Sequence, residues 1–229
     1  VGIERLNTVN LYNDDQYMRL DLVARRNLEL TETMRGGERR GSLLWVLDRT
    51  RTAMGKRLMR TTIERPLINP AMITRRLAAV GELVGDSILR SDLGEMLAGV
   101  FDIERLMTRI VYGSAGGRDL RSLCQTAAKL PAIKARLSGV RALMLCDLHQ
   151  QIDPLEDIHA LIDRAIDEEP PIQLKDGGVI KTGYHPRVDE LRSLLSDTKG
   201  TLARIEAEER ERTGIKNLKI GYNKVFGYY

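Results

Sequence analysis

Three histidines, two cysteines, one glycine-flanked loop and a lysine-bearing C-terminal stretch are the groups in this 229-residue chain that could do chemistry. His149, His159 and His185 are scattered, none three or four residues from another histidine, so a metal site would need long-range convergence. Gly36 and Gly41 have the separation of a phosphate loop, but Ser42 follows Gly41 where the phosphate-reaching lysine is required. An ordinary loop followed by a Ser42 N-cap is the better reading. Asp176-Gly177-Gly178 reads as a turn. Glu168-Glu169 lies in an acidic stretch with no histidine or serine constellation beside it. Nothing here assembles into nucleophilic or acid–base catalysis, so no catalytic, cofactor-binding or metal residue is assigned.

The remaining candidates are Lys216, Lys219 and Lys224, with Asn223 beside the last. Contact with a phosphate backbone needs only cationic or amide donors at the right height, and it carries no base information. A soluble strand edge also uses lysine to deter pairing.

Composition frames these candidates. The hydrophobic share is 42% and the charged share 30%, which excludes a disordered chain. No apolar run reaches the length of a membrane-spanning helix, and no basic-then-apolar leader opens the chain. Two cysteines make no disulfide framework, so a reduced, cytoplasmic setting is expected. The opening Val-Gly-Ile, without Met, points to a piece of a longer polypeptide. A net charge of +4 is too mild to announce a nucleic-acid binder, but its distribution is uneven. Arg35–Arg65 holds nine basic and three acidic residues, whereas Asp147–Asp176 holds two basic and nine acidic.

The elements that must position these groups are mostly helical. Asn69-Pro70 starts one helix, since Asn caps free amides and Pro gives up an amide that has no partner. Ile73, Leu77, Val80 and Val84 then mark its apolar stripe. A second helix, Ser87 to Leu97, carries Leu89, Leu93, Met96 and Leu97; a third, capped by Asp102, carries Ile103, Leu106, Ile110 and Val111. After the glycine-rich break at 113–117, a fourth runs from about Asp119 to Lys129 and ends before Pro131. A fifth spans Leu155 to Ile166 and stops at Pro170-Pro171.

From Pro186 to Thr213 the pattern changes. Val188, Leu191, Leu195, Thr198, Leu202 and Ile205 step in heptad spacing, and Glu209 and Arg212 continue the stripe. About 28 residues at ~1.5 Å each predict a rod of roughly 42 Å. Its second half is charged nearly all round, as in helices that bridge bodies through solvent. Gly214 ends the rod, and Leu218, Ile220 and Tyr222 then alternate with polar residues as a half-buried strand. No partner strand is expected before Tyr229. The fold class is therefore mainly α: a helical bundle, one long protruding helix and a short terminal β element.

Ordered motifs along nearly the whole chain resemble the MutS family of DNA mismatch-repair ATPases. They include Tyr17-Met18-Arg19-Leu20-Asp21, Arg26-Asn27-Leu28-Glu29-Leu30 and Met54-Gly55-Lys56-Arg57-Leu58. Further on come Asp102-Ile103-Glu104-Arg105-Leu106, Asp176-Gly177-Gly178-Val179-Ile180 and Glu209-Arg210-Glu211-Arg212-Thr213-Gly214-Ile215. Leu218-Lys219-Ile220-Gly221-Tyr222-Asn223 and Phe226-Gly227-Tyr228-Tyr229 complete the set. The pattern is closer to the mismatch-repair branch than to the second bacterial paralogue.

The resemblance implies a central piece: residues 1–16 the tail of a connector domain, 17–200 the helical core or lever domain, and 201–229 the distal lever helix with the start of a DNA clamp. It implies a role that is mechanical, coupling an ATPase domain elsewhere to clamping of mismatched DNA, with no catalytic site here and Mg-ATP bound by the parent alone. Expected partners are the duplex DNA backbone, weakly and without sequence preference, other MutS domains, a second parent copy and a MutL-type protein, in a bacterial cytoplasm. The basic stretch Arg35–Arg65 is expected to face another part of the parent once Leu43, Leu44, Val46, Leu47, Met54 and Leu58 anchor to the bundle. A helical scaffold with Val188–Ile205 as a coiled-coil seam is the rival reading; it leaves the terminal strand unexplained.

Overall fold

The computed structural model describes residues 16–229 except Asp197 and Phe226, without the side chains of Thr198, Lys199 and Thr201. The expected connector tail lies outside the described residues but for Gln16. Two compact units divide between Asp163 and Arg164.

The first unit holds α1 (Leu22–Asn27), α2 (Leu43–Leu47), α3 (Ala53–Glu64), α4 (Pro70–Gly85), α5 (Ser87–Ala98), α6 (Ile103–Val111), α7 (Gly117–Ala127), α8 (Leu130–Arg136) and α9 (Leu143–Gln151), and most of α10 (Glu156–Ala165). Local chemistry starts most of them. The side chains of Asp21, Ser42, Thr52, Asn69, Asp86 and Asp102 accept first-turn amides of α1 to α6 in order, each giving a helix-start N–H a partner. Ser42, Asn69 and Asp102 cap as their sequence contexts predict. Pro131 behaves differently from expectation: it lies in the first turn of α8 rather than marking the stop of α7, which already ends at Ala127.

Helices pack as α2 on α3, α4 on α5 and α9, α5 on α8, and α7 on α6 and α8. Leu30, Leu44 and Ile63 form one buried cluster with Leu20 and Met59 against it. Farther along, α7 contributes Leu123, Cys124, Thr126 and Ala127 to the interior. Polar ties join the helices: Arg57 of α3 grips Asp102 with two 2.7 Å bonds and also reaches Glu104. Arg136 reaches Asp92 at 2.8 Å, and Lys134 donates to the Ile152 carbonyl at 2.7 Å.

Two apolar faces depart from expectation. On α4 the buried residue is Ala79, whereas Leu77, Val80 and Val84 are 61%, 50% and 66% exposed. The helix turns its Ile73–Ala79–Leu83 side inward, because a small residue lets α5 and α9 approach closely. Of the six apolar positions expected to anchor the basic stretch, only Leu44 is buried and Met54 is half-buried; Leu43, Val46, Leu47 and Leu58 are exposed. Five residues make little more than one turn, so α2 can present one residue to α3 and no more.

In the second unit, Ile166 pairs with Ile180 as an isolated antiparallel bridge. Leu174–Asp176 forms a 3-10 turn, with Gly177 and Gly178 both at φ 72°, where glycine is tolerated without a Cβ clash. The segment read as one rod is helical on both sides of residue 197, as α11 (Pro186–Ser196) and α12 (Thr198–Thr213). Its apolar seam stays open here: Leu195 is 81% and Leu191 46% exposed. Two short strands, β1 (Tyr222–Asn223) and β2 (Gly227–Tyr228), pair antiparallel near the C-terminal end. The chain thus supplies its own partner strand, contrary to the expectation of an unpaired one, and Leu218 and Ile220 stand before the ladder instead of in it.

Candidate nucleic-acid interface

The lysine-bearing tip is built by a helix end, a return and a hairpin. Gly214 closes α12 in the left-handed conformation, φ 72°, and its amide bonds to the Arg210 carbonyl at 2.9 Å. The chain then turns at Lys216 and Asn217 and runs back through residues 218–220. Leu218 and Ile220 are half-buried while Lys219 between them is exposed, so strand-like alternation pushes the lysine outward.

The hairpin pairs Tyr222 with Tyr228 and Asn223 with Gly227. The Gly221 and Tyr229 backbones extend it by two bonds of 2.9 and 3.0 Å. Facing tyrosines 222 and 228 hold their rings 5.0 Å apart at 56°, a tilted cross-strand contact. Gly227, where the second strand begins, takes φ 75°, a conformation that glycine adopts without a Cβ clash.

All four candidates are exposed, each on a different piece of this scaffold. Lys216 is in the return turn, Lys219 in the extended run, Asn223 on β1 and Lys224 at the hairpin loop. The side-chain oxygen of Asn223 accepts the Val225 amide at 2.8 Å, so this exposed residue builds the loop, and the donors its side chain could offer a phosphate are its NH2 hydrogens. The lysine ammoniums are compact charges on flexible stems, suited to phosphate oxygens without fixed geometry.

Two residues of the tip escaped the pattern reading. Glu206 and Arg210 had the look of a helix charged all round, yet both are half-buried. Arg210 Nε donates to the Leu218 carbonyl at 2.9 Å, and Glu206 Oε2 accepts the Ile220 amide at 3.2 Å. They also pair with each other, four residues apart. That spacing was visible in the sequence; the returning backbone was not.

Several of the remaining candidate groups have structural partners. Ser42 is fully buried, donates to the Arg39 carbonyl at 2.7 Å and accepts the Trp45 amide. With its hydroxyl committed and no lysine after Gly41, the 36–42 loop does not fit a nucleotide phosphate. Within Arg35–Arg65, Arg39 pairs with Asp48, Arg60 with Glu64, and Arg57 with Asp102 and Glu104. A cleft of about 350 Å³ lies among Arg39, Lys56, Arg57 and Arg60. Cys146 and His149 stand one helical turn apart, but the thiol donates to Val140 and the imidazole Nδ1 meets the Lys134 carbonyl. Among the described residues no cluster of three or more His, Cys, Asp or Glu could hold a metal ion, and no helix is long and apolar enough to cross a membrane.

Comparison with known proteins extends this geometry. Residues 23–220 match the family model described as MutS domain III. The chain is 54% identical over 219 residues to the DNA mismatch repair protein MutS of Symbiobacterium thermophilum, covering 96% of this chain and 25% of that protein. It is 49% identical over 229 residues to the MutS of Acetivibrio thermocellus, covering all of this chain and 26% of that protein. Against the MutS of Lachnoclostridium phytofermentans the identity is 48% over 228 residues, with 24% of that protein covered. The chain thus spans about a quarter of the length of the curated relatives it matches. With a domain III match running from residue 23 to residue 220 and about half of all positions shared with these relatives, this chain belongs to the MutS family of DNA mismatch repair proteins.

Proposed function

We propose that the chain is the core-and-lever segment of a mismatch-repair MutS, mechanically coupling an ATPase domain to DNA clamping and mismatched-DNA binding. The observation that carries this reading is the placement of Lys216, Lys219 and Lys224, exposed on a hairpin-bearing tip just past the C-terminal end of α12. Residues 17–200 then serve as core, and 201–229 as distal lever and first part of the clamp. Coupling between distant sites needs an element with two arrangements that both sites bias, and a packed helical body joined to a long helix supplies one. The chain performs no catalytic step in this reading; Mg-ATP is bound by the ATPase domain of the whole protein. Its partners are the DNA backbone, the other MutS domains, a second copy of the whole protein and a MutL-type protein, in the bacterial cytoplasm. The uncovered Leu191, Leu195 and Ile205 are consistent with a second lever helix lying along this one.

The test uses a full-length MutS carrying this segment. Replacing Lys216, Lys219 and Lys224 together with Gln should weaken matched and mismatched duplexes about equally, and flatten the dependence of log K on log salt by about 0.9 per lost phosphate contact. A selective loss of mismatch binding, or an unchanged salt slope, would remove the tip from the DNA interface.

A further inference from the structure

We infer that Glu206 and Arg210 form a clasp that fixes the direction in which the chain leaves α12, and so set the pose of the lysine-bearing tip on DNA. This deepens the clamp reading and rests on it. A helix end followed by glycine leaves the next segment free to swing, since Gly214 at φ 72° is easily moved. Two side-chain bonds from α12 oppose that swing. Arg210 Nε holds the Leu218 carbonyl at 2.9 Å, and Glu206 Oε2 holds the Ile220 amide at 3.2 Å. The two grips straddle Lys219 and lie on one face of α12, a helical turn apart.

Apolar packing at this joint is thin. No residue of 214–225 or 227–229 is buried, and among the described side chains of α12 the half-buried ones are Leu202, Glu206, Glu209 and Arg210. Strands of two residues cannot by themselves orient a hairpin against a helix. Polar bonds to two backbone groups, one donor and one acceptor, therefore define the exit. The mutual Glu206–Arg210 pair holds each side chain in the rotamer that makes its own backbone bond. An ion pair alone would not suffice: position 206 must offer an acceptor to an amide and position 210 a donor to a carbonyl, and arginine has no acceptor while an ionised glutamate has no donor.

The experiment compares Glu206→Ala, Glu206→Gln and the exchange Glu206→Arg with Arg210→Glu in a full-length MutS carrying this segment. Hydrogen exchange of the peptide over residues 215–223 and salt-dependent duplex binding are the two readouts, with the lysine-to-Gln triple variant alongside. Glu206→Ala and the charge exchange should both speed amide exchange by about tenfold. Both should also flatten the salt slope by about one phosphate contact. Glu206→Gln, which keeps an acceptor oxygen, should do less of each. Recovery by the charge exchange would overturn the clasp, because it restores the ion pair without the backbone bonds. Unchanged amide exchange in Glu206→Ala would overturn it as well. Faster exchange with unaltered DNA binding, while the lysine variant loses binding, would refute the positioning role and leave the clamp reading standing. If the lysine variant itself binds normally, the clamp reading falls and takes the positioning role with it.

Discussion

Glu82 closes the start of a helix about sixty residues away: its Oε2 accepts the Ala142 amide at 2.6 Å and its Oε1 that of Arg141 at 2.8 Å. Ala142 precedes α9 and has no side chain to cap it, so a carboxylate borrowed from α4 satisfies these amides and faces the positive end of the helix. One residue thus ties packing of α4 on α9 to the integrity of α9 itself.

Glu82→Ala is expected to destabilise the chain by about 1.5–3 kcal/mol, the range for hydrogen bonds to a charged group. Urea unfolding followed by helical signal measures it. Glu82→Gln, which retains one acceptor, should cost less. An unchanged midpoint in Glu82→Ala would show that water replaces the cap.

Asp102 gives a pH-dependent contribution with a defined sign. The hydrogen bonds from Arg57, outweighing the opposing effect of burial, hold its carboxyl below the ordinary 3.8. A folded pKa below the unfolded one contributes stability that is complete above the unfolded value and is lost as pH falls through the folded value. Asp102→Asn keeps a competent N-cap for α6 but loses the charge. Its deficit relative to the parent chain should be full at pH 7 and shrink below about pH 4. A deficit that stays constant down to pH 2 would mean the Arg57 pairing is not its source.

Thr126 is fully buried, and its hydroxyl accepts the Phe101 amide at 3.1 Å from 25 residues away. Thr126→Val preserves shape and strands that amide, at a cost of about 1–3 kcal/mol. Thermal unfolding of the chain reads it directly. A change below about 0.5 kcal/mol would place the amide in contact with water instead.

What the sequence discloses divides along the distance over which each interaction acts. Ser42, Asn69 and Asp102 were legible because a cap bonds an amide two or three residues away. The α4 face was not, since Leu77, Val80 and Val84 make as good a stripe as the one that packs, and only the neighbouring helices choose between them. The lysines of the tip could be named from composition, and the alternation around Lys219 predicted its outward side chain. Glu82, Glu206 and Arg210 could not be assigned, because each acts on a backbone segment that only the fold brings near. The hairpin's second strand went unread because Gly227 interrupts its strand pattern, and the backbone conformation that suits this glycine lies in the fold.

The placement of the two thiols has a practical meaning of its own. Cys124 is 3% exposed on α7, its sulfur against the His159 carbonyl, whereas Cys146 on α9 is half-buried. A small alkylating reagent reaches the second thiol through minor breathing and the first only when α7 is laid bare. The first unit therefore carries an internal clock: the lag between the two labelling events, read by mass on intact molecules, times its opening without any introduced probe.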